Sequence, residues 1–125
     1  MNQNILTIKV GTNIQSSLAL AQQMLERLEL GEEPAPYFGV GFKNVSQMLS
    51  VFTPKRWDLL ATLREHGAMS IAELARTLQR DYKNVHNDVE RLMEWLAIER
   101  DANGKIFTPY SKIVVDVHLP QQKAA

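Results

Sequence analysis

The segment from Thr53 to Thr108 contains three successive helix start signals, and these constrain the fold more than any other feature of the chain. Thr53-Pro54 supplies a hydroxyl N-cap before a proline whose fixed φ angle suits the first helical position. Ser70-Ile71-Ala72-Glu73 is a capping box, in which the serine and the glutamate side chains each bind the backbone amide of the other residue. Asp81 can cap a third helix. The segment is therefore predicted to contain three short helices.

Apolar spacing indicates where the predicted helices end and which faces they bury. The leucines of the first helix stop before His66-Gly67, where glycine can adopt the left-handed geometry of a helix C-terminus. The buried stripes are predicted to be Leu59, Leu60 and Leu63 in the first helix, Ile71, Leu74, Ala75 and Leu78 in the second, and Val85, Val89, Leu92 and Leu96 in the third. A short polar link over residues 78–81 joins the second and third helices, which makes them a helix-turn-helix candidate.

Beyond Leu96 the apolar pattern changes from the helical period to that of strands. Ile98 to Arg100 precede the segment Asp101-Ala102-Asn103-Gly104, and Lys105 to Phe107 follow it. An Asn-Gly pair tolerates the positive φ angles of a hairpin turn. Three helices followed by a hairpin predict an α+β fold of the winged helix-turn-helix class over residues 51–108, with the hairpin as the wing.

Three segments of this region resemble a family of small prokaryotic winged-helix proteins that are generally described as DNA-binding transcriptional regulators, loosely similar to the MarR group. They are Phe52-Thr53-Pro54-Lys55-Arg56, Ser70-Ile71-Ala72-Glu73-Leu74-Ala75 and Arg80-Asp81-Tyr82-Lys83-Asn84-Val85-His86-Asn87-Asp88-Val89. The resemblance runs from about Phe42 to Leu119, and its most specific part is Arg80 to Val89. One difference is Ala97, where the family has glycine after the recognition helix. The resemblance implies DNA binding without naming an operator.

Strand and helix patterns precede this region. Ile5 to Val10 has the pattern of a strand, and Ile14 to Leu30 is predicted to be a helix with an apolar stripe. The stripe consists of Ile14, Leu18, Ala21, Leu25 and Leu28. It can cover the winged-helix core or form a dimer interface, and we expect both. Residues 1–50 are therefore predicted to form an accessory and dimerisation segment.

Further strand signals lie on either side of the predicted helices. Tyr37 to Phe42 has two glycines but lacks the lysine-serine pair of a P-loop and the full dinucleotide fingerprint, so an irregular strand or close packing is predicted. Lys112 to Leu119 alternates as a final strand within a C-terminal segment of residues 109–125. This strand can pair with Ile5 to Val10, within one chain or between subunits. Such pairing would leave two fewer strand edges exposed.

Polar residues on and around the third helix carry the functional prediction. Arginine and lysine can donate to guanine or phosphate, and asparagine can pair bidentately with adenine. The predicted DNA contacts of this helix are Arg80, Tyr82, Lys83, Asn84, His86, Asn87 and Arg91. Further contacts are predicted for Ser70, Lys55 and Arg56 near helix N-termini and for Arg100, Asn103 and Lys105 in the wing. For any one of these residues, simple exposure to solvent explains the pattern equally well. Asp88 would repel phosphate, so we expect it to turn inward and pair with an arginine or a cap.

Composition limits the remaining possibilities. A chain of 125 residues with 45% hydrophobic content fits one compact domain, and a formal net charge of zero means that any attraction to phosphate depends on how the charges are distributed. The absence of cysteine excludes disulfides and thiolate metal sites and suits a reducing cytoplasm. Met1 to Val10 lacks the pattern of a signal peptide, and no apolar run approaches the length of a membrane span. We therefore expect a cytoplasmic protein without membrane association.

Enzymatic function, a metal site and a cofactor are not expected. His66, His86 and His118 are scattered, and no arrangement of nucleophile, base and metal ligands is evident. A ligand-responsive regulator is one alternative, with a pocket lined by the aromatic residues Tyr37, Phe38, Trp57 and Trp95.

The predicted function is a homodimeric repressor that binds double-stranded DNA with one recognition helix per subunit. The main alternative is the antitoxin of a toxin–antitoxin pair, in which the accessory segment holds a cognate toxin protein and the winged helix represses the operon. A purely structural dimeric module is the third possibility, and it would show no salt-sensitive DNA binding.

Overall fold

The fold is a mixed α/β arrangement, seen in a computed structural model that describes residues 4–11, 14–31, 38–120 and 122. Within these residues the chain forms five helices and five strands. In chain order they are β1 (Asn4–Val10), α1 (Ile14–Glu29), β2 (Phe38–Phe42), α2 (Val45–Val51), α3 (Pro54–His66), α4 (Ile71–Leu78), α5 (Tyr82–Glu94), β3 (Glu99–Arg100), β4 (Ile106–Phe107) and β5 (Tyr110–Val117). No helix in the described part of the chain is long and apolar enough to cross a membrane.

A three-stranded sheet in the order β2-β1-β5 joins the two ends of the chain, and both pairings are parallel. Of the two possibilities predicted for Tyr37 to Phe42, the strand is present and covers Phe38–Phe42. The predicted pairing of the first and last strands is also present, and it occurs within one chain. The central strand β1 buries Leu6, Ile8 and Val10 against the helices. The sheet is therefore held by apolar burial on one face of its middle strand.

The starts of α3 and α4 follow the predicted capping signals. Thr53 Oγ1 accepts a hydrogen bond from the Arg56 amide at 3.3 Å. Ser70 Oγ accepts from the Glu73 amide at 3.1 Å, and the Ser70 amide donates to Glu73 Oε1 at 3.3 Å, so the capping box is complete. Gly67 ends α3 with a φ angle of 81°. Local sequence alone thus determines these helix ends.

The end of α5 differs from the prediction. Leu96 was predicted to lie on the buried stripe, but α5 ends at Glu94 and Leu96 is exposed with a φ angle of 66°. The amide of Leu96 donates to the Met93 carbonyl, and that of Ala97 donates to the Leu92 carbonyl at 2.9 Å. This is a Schellman turn. It directs Leu96 outward and leaves Ala97 in the buried position, so the left-handed residue of the turn lies one position before Ala97.

The start of α5 also departs in one detail from the prediction. Asp81 occupies the N-cap position, but its side chain accepts no capping hydrogen bond. The predicted stripe of α5 is otherwise confirmed, since Val85, Val89 and Leu92 are buried. In α3 and α4 the stripe residues are buried, with Leu78 half-buried against the core.

One hydrophobic core includes residues from the sheet, from α2 to α5 and from the hairpin. Aromatic rings connect its parts. The Phe42 ring stacks on Trp95 with centroids 4.4 Å apart, and the Phe52 ring lies 5.2 Å from Trp57. Phe38 packs edge-on against Tyr110. Both tryptophans are therefore partly buried against the core, and Tyr37 lies outside the described residues.

The long helix α1 contributes no described side chain to this core. Ala21, Leu25 and Leu28 of its apolar stripe are exposed. The expectation that the stripe covers the core is therefore wrong for these three residues, whereas the side chains of Ile14 and Leu18 lie outside the described part. The predicted dimer contact of this stripe remains a prediction.

Candidate nucleic-acid interface

Helix α5 has one buried and one exposed face, as the 3.6-residue period requires. The buried side packs on α4 and the core, and the exposed side presents Lys83, Asn84 and Asn87. These three side chains make no hydrogen bond or ion pair with any other residue that the structure describes. They form the candidate contact surface, which we define as Lys83, Asn84 and Asn87. A lysine and two amides without internal partners are free to donate to an external ligand.

An ion-pair cluster behind this surface fixes α5 to the elements around it. Asp88 Oδ1 accepts from Arg56 Nε at 3.0 Å, and Asp88 Oδ2 accepts from Arg80 Nη2 at 2.8 Å. Arg56 Nη1 also donates to the Val51 carbonyl at 2.8 Å. The exposed fractions of these side chains are 17% for Arg56, 21% for Arg80 and 14% for Asp88.

The expectation that Asp88 turns inward and pairs with an arginine is confirmed, and two arginines bind it. The same contacts turn the guanidinium groups of Arg56 and Arg80 towards one carboxylate. Contact of either arginine with DNA stays a prediction, and it would have to use the guanidinium N–H groups that Asp88 does not bind. The acidic residue between basic neighbours was the sequence signal for this arrangement.

The second half of α5 is less basic than its arginine suggests. Arg91 Nη1 lies 2.9 Å from Glu94 Oε2. Glu90 Oε1 lies 3.7 Å from His86 Nε2 and 3.8 Å from Arg100 Nη2. The two glutamates were not included in the prediction, although Glu90 lies four residues after His86 and Glu94 three residues after Arg91, spacings that predict such pairs. Among the lysine and arginine residues of α5, Lys83 in the first turn is therefore the one without an acidic partner in the described part of the chain.

Tyr82 and His86 lie beside the candidate contact surface. Tyr82 is exposed, and the centroid of its ring is 6.0 Å from that of His86. The planes of the two rings are inclined by 34°. Such a pair of rings suits contact with a sugar or a thymine methyl better than with a phosphate.

The capping box occupies the polar groups of Ser70 at the N-terminus of α4. The hydroxyl and amide of Ser70 both bind Glu73. The side chain of Ser70, and then its backbone N–H, hold the pKa of the Glu73 carboxyl below its usual value. Ser70 is therefore a helix cap, and a phosphate contact at the start of α4 stays a prediction.

The β3-β4 hairpin is ordered by Asp101. Its Oδ1 accepts from the amides of Asn103 and Lys105, each at 2.9 Å. Of the turn residues only Gly104 has a positive φ angle, 79°, so the glycine and not the asparagine takes the left-handed position. Arg100 Nη1 donates back to the Gly104 carbonyl at 3.3 Å. Exposed at the hairpin tip are Asn103 and Lys105.

The hairpin and the start of α3 flank the helices from different sides. The backbones of Met69 and Ile106 form an isolated bridge, which fixes the hairpin to the start of α4. Lys55 is exposed in the first turn of α3, one residue before the Arg56 that binds Asp88 on α5. In the described part of the chain, the following predicted contact residues have an exposed polar side-chain group without a hydrogen bond or ion pair: Lys55, Tyr82, Lys83, Asn84, Asn87, Asn103 and Lys105.

Comparison with known protein families identifies the family to which the chain belongs. The family model HVO_A0114 matches residues 51–115, slightly more than half of the chain. The matched segment runs from the end of α2 through the three helices and the hairpin into β5, and it includes the whole candidate contact surface. Neither the curated proteins nor the solved structures gave a match.

Proposed function

We propose that this chain, which belongs to the HVO_A0114 family, is a transcriptional regulator that binds double-stranded DNA. In this proposal α3, α4 and α5 with the β3-β4 hairpin form a winged helix-turn-helix, and α5 is the recognition helix that enters the major groove. One observation carries the proposal. Lys83, Asn84 and Asn87 are exposed together on α5 without internal partners, while the opposite face of the helix is fixed in the core.

The chemistry of these side chains divides the proposed contacts into two kinds. Asn84 and Asn87 each carry an amide that can bind adenine through its N6 and N7 edge, so they are proposed to read bases. Lys83 is proposed to bind phosphate and therefore to position the protein without selecting a sequence. Lys55 and the hairpin residues Asn103 and Lys105 are proposed as backbone or minor-groove contacts around the same site.

The cluster of Arg56, Arg80 and Asp88 supports the proposal indirectly. It connects α3, the α4–α5 link and the middle of α5 through charge-assisted hydrogen bonds of 2.8 and 3.0 Å. A recognition helix must be held in a fixed orientation for base contacts to discriminate between sequences. The cluster meets this requirement, and Lys83, Asn84 and Asn87 take no part in it.

We further propose that the protein acts as a homodimer. Two-fold regulators place their recognition helices roughly 34 Å apart, so that the two helices enter successive major grooves on one side of the duplex. Binding in this manner across a promoter would exclude polymerase and repress transcription. Autoregulation follows if the protein's own upstream DNA contains the site.

The test is fluorescence anisotropy with the purified protein and its own upstream DNA, run over a salt series against a shuffled duplex of equal length. We expect selective binding that weakens with salt, because phosphate contacts release counterions. Lys43→Ala serves as a matched control for Lys83→Ala, since Lys43 is an exposed lysine outside the helix-turn-helix. Equal affinity for both duplexes at every salt concentration would refute the proposal.

A further inference from the structure

The outer edge of β5 is open in the described part of the chain. β5 pairs with β1 on one side, and no other strand follows it in the sheet. The His118 amide donates to the Val10 carbonyl at 2.8 Å, so the backbone groups of residue 118 point towards β1. Backbone groups alternate in direction along a strand. Those of Val117, Val115 and Ile113 therefore point to the open edge, where an added strand could bind them. The regular register with β1 starts at Lys112, because it shifts between Tyr110 and Lys112.

The charged residues of β5 can pair with those of a second β5 that runs in the opposite direction. Lys112 and Asp116 lie two residues on either side of Val114 and share one face of the sheet. If a second copy of β5 pairs antiparallel about a two-fold axis at Val114, Lys112 of each copy lies opposite Asp116 of the other. Shifting the register by two residues places Lys112 opposite Val114 or His118 instead. Opposite charges in facing positions stabilise a sheet, so charge selects the central register.

The backbone directions agree with this register. Ile113 of one copy would face Val115 of the other, and both residues direct their backbone groups outward. They form hydrogen-bonded pairs on either side of the axis. Val114 faces Val114 of the other copy in a non-hydrogen-bonded pair. Lys112 faces Asp116 of the other copy in a pair of the same kind, in which side chains approach most closely. Asp116 Oδ2 meanwhile lies 3.1 Å from His118 Nε2 within its own chain, in an exposed contact.

The apolar face of β5 also lacks cover. Val115 is 41% exposed, Val117 42% and Leu119 83%. In the central register, Val117 of the second copy lies opposite Ser111. This serine borders a cleft of about 290 Å³ whose other walls include Trp57 and Leu60 of α3. The second copy would therefore bring its exposed valine to an apolar cleft beside the open edge.

We propose that the chain forms a two-fold dimer by antiparallel pairing of β5 with β5 of a second copy, centred on Val114. The two sheets then join in the order β2-β1-β5-β5-β1-β2. The interface is isologous, because each copy contributes the same lysine and the same aspartate. This assignment rests on the homodimer proposed above and identifies its interface, and it does not depend on DNA binding. The β5 interface is distinct from a dimer contact through α1. The exposed leucines of α1 have no charge pattern that identifies a binding partner.

The register is tested with a single introduced thiol, because the chain has no cysteine. In Val114→Cys the two Cα atoms lie about 4.5 Å apart across a non-hydrogen-bonded pair, which a disulfide can span. In the matched control Val115→Cys the two thiols are displaced along the strands, and their Cα atoms are roughly 8 Å apart, which is too far. We expect a covalent dimer from Val114→Cys under mild oxidation and little from Val115→Cys. Equal cross-linking of both variants would overturn the register.

The charge pairing is tested by sedimentation equilibrium on two reversals, Lys112→Asp and Asp116→Lys. Each reversal places like charges opposite each other, so we expect the dissociation constant of each homodimer to rise about tenfold or more. An equimolar mixture of the two variants restores both opposite-charge pairs, and we expect it to form a heterodimer as tight as the wild-type dimer. Circular dichroism confirms that each variant is folded.

The wild-type mass distinguishes the dimer proposal from the DNA-binding proposal. A mass of 14.2 kDa at every concentration, the value for one chain, would overturn the dimer. So would a dimer that forms equally well in wild type and both reversals. Lys83→Ala is expected to keep the dimeric mass while its affinity for DNA falls. If the dimer forms as proposed and no DNA binds, only the DNA-binding proposal fails.

Discussion

Arg80 Nη2 donates a hydrogen bond of 2.8 Å to Asp88 Oδ2, and this contact connects the α4–α5 link to the middle of α5. The other carboxylate oxygen accepts from Arg56 Nε of α3 at 3.0 Å. One carboxylate therefore holds three parts of the chain in a fixed relation. Since all three side chains are more than three-quarters buried, loss of the carboxylate would leave two guanidinium groups without their charge partner.

Asp88→Ala is expected to lower the free energy of unfolding by about 2 kcal/mol, because it leaves two partly buried arginines uncompensated. Urea unfolding followed by circular dichroism measures the change. The control is Glu94→Ala, which removes the partner of Arg91 in an exposed pair of 2.9 Å and should cost less than about 0.5 kcal/mol. Equal effects of the two substitutions would show that the Asp88 cluster does not stabilise the fold.

Asn87→Ala and Lys83→Ala are expected to affect DNA binding in different ways. Loss of a base contact at Asn87 should cost about 1 to 3 kcal/mol on the specific duplex and little on the shuffled one. Loss of a phosphate contact at Lys83 should weaken binding to both and reduce the salt slope by about one. Asn84→Ala should behave like Asn87→Ala.

Anisotropy titrations of these variants with both duplexes, at several salt concentrations, separate the two effects. Thermal unfolding should be unchanged for all three, because the side chains make no internal contact. An Asn87→Ala protein with an unaltered specificity ratio would remove Asn87 from the base-reading set, and an unaltered slope would remove Lys83 from the phosphate contacts.

Leu96→Gly is expected to raise the free energy of unfolding by about 0.5 to 1 kcal/mol. Leu96 has a φ angle of 66° and is exposed, so it carries left-handed strain with little burial in return. Glycine relieves the strain, although the greater freedom of the unfolded chain offsets part of the gain. Gln79→Gly tests the same physics at the end of α4, where φ is 53°. A loss of stability on Leu96→Gly would mean that the leucine side chain contributes packing that outweighs its strain.

Local signals in the sequence were sufficient for most helix and strand boundaries. The Thr53 and Ser70 caps and the left-handed Gly67 act within a few residues of themselves, so the chain folds there as the local pattern predicts. The end of α5 was missed because neither Leu96 nor Ala97 is a glycine, and only the buried position of Ala97 shows where the turn lies.

Some contacts between distant residues were predicted, but their exact partners were not. The sequence predicted that Asp88 pairs with an arginine, whereas the Arg56–Asp88 pair spans 32 residues and no spacing of basic residues identifies Arg56 as the partner. Arg80 on the α5 stripe and Arg56 near a helix start were both predicted to contact DNA, because a sequence pattern shows a charge and not its partner. The exposed stripe of α1 is a similar case. An apolar stripe predicts that a helix face is buried, but it does not identify the surface that covers this face.

The capping box of α4 should give the protein an acid-sensitive contribution to stability. Bonds from the side chain and then the backbone of Ser70 lower the folded-state pKa of Glu73 from its ordinary value of 4.5. A lowered folded pKa contributes stability that is present above the unfolded pKa and lost as pH falls through the folded one. Glu73→Gln keeps the geometry of the box without the charge.

Thermal unfolding of wild type and Glu73→Gln over a pH series measures this contribution. We expect wild type to have the higher melting temperature at neutral pH, and the difference to shrink as pH falls below the ordinary value of 4.5 for the carboxyl. A difference that stays constant through that range would show that the Glu73 charge does not stabilise the helix start.

Gly11 lies where all three strands of the sheet meet. The loss of unfolding free energy on its substitution should therefore report how strongly the strands are held together. Its amide donates to the Phe42 carbonyl at 3.1 Å, and a Cβ at this position would lie 2.5 Å from the His118 carbonyl oxygen. Gly67 has the same φ angle of 81°, but a Cβ there would meet nothing within 4 Å.

Gly67→Ala should therefore cost only backbone strain, about 1 kcal/mol, and Gly11→Ala should cost about 2 kcal/mol more because the end of β5 must also shift. Urea unfolding with unchanged m-values measures both. Both residues have a positive φ angle, so each substitution adds backbone strain, and a clearly larger cost at Gly11 indicates the clash with the His118 carbonyl oxygen. Equal costs would mean that the His118 carbonyl moves aside freely and that the β1–β5 pairing is loose at this end.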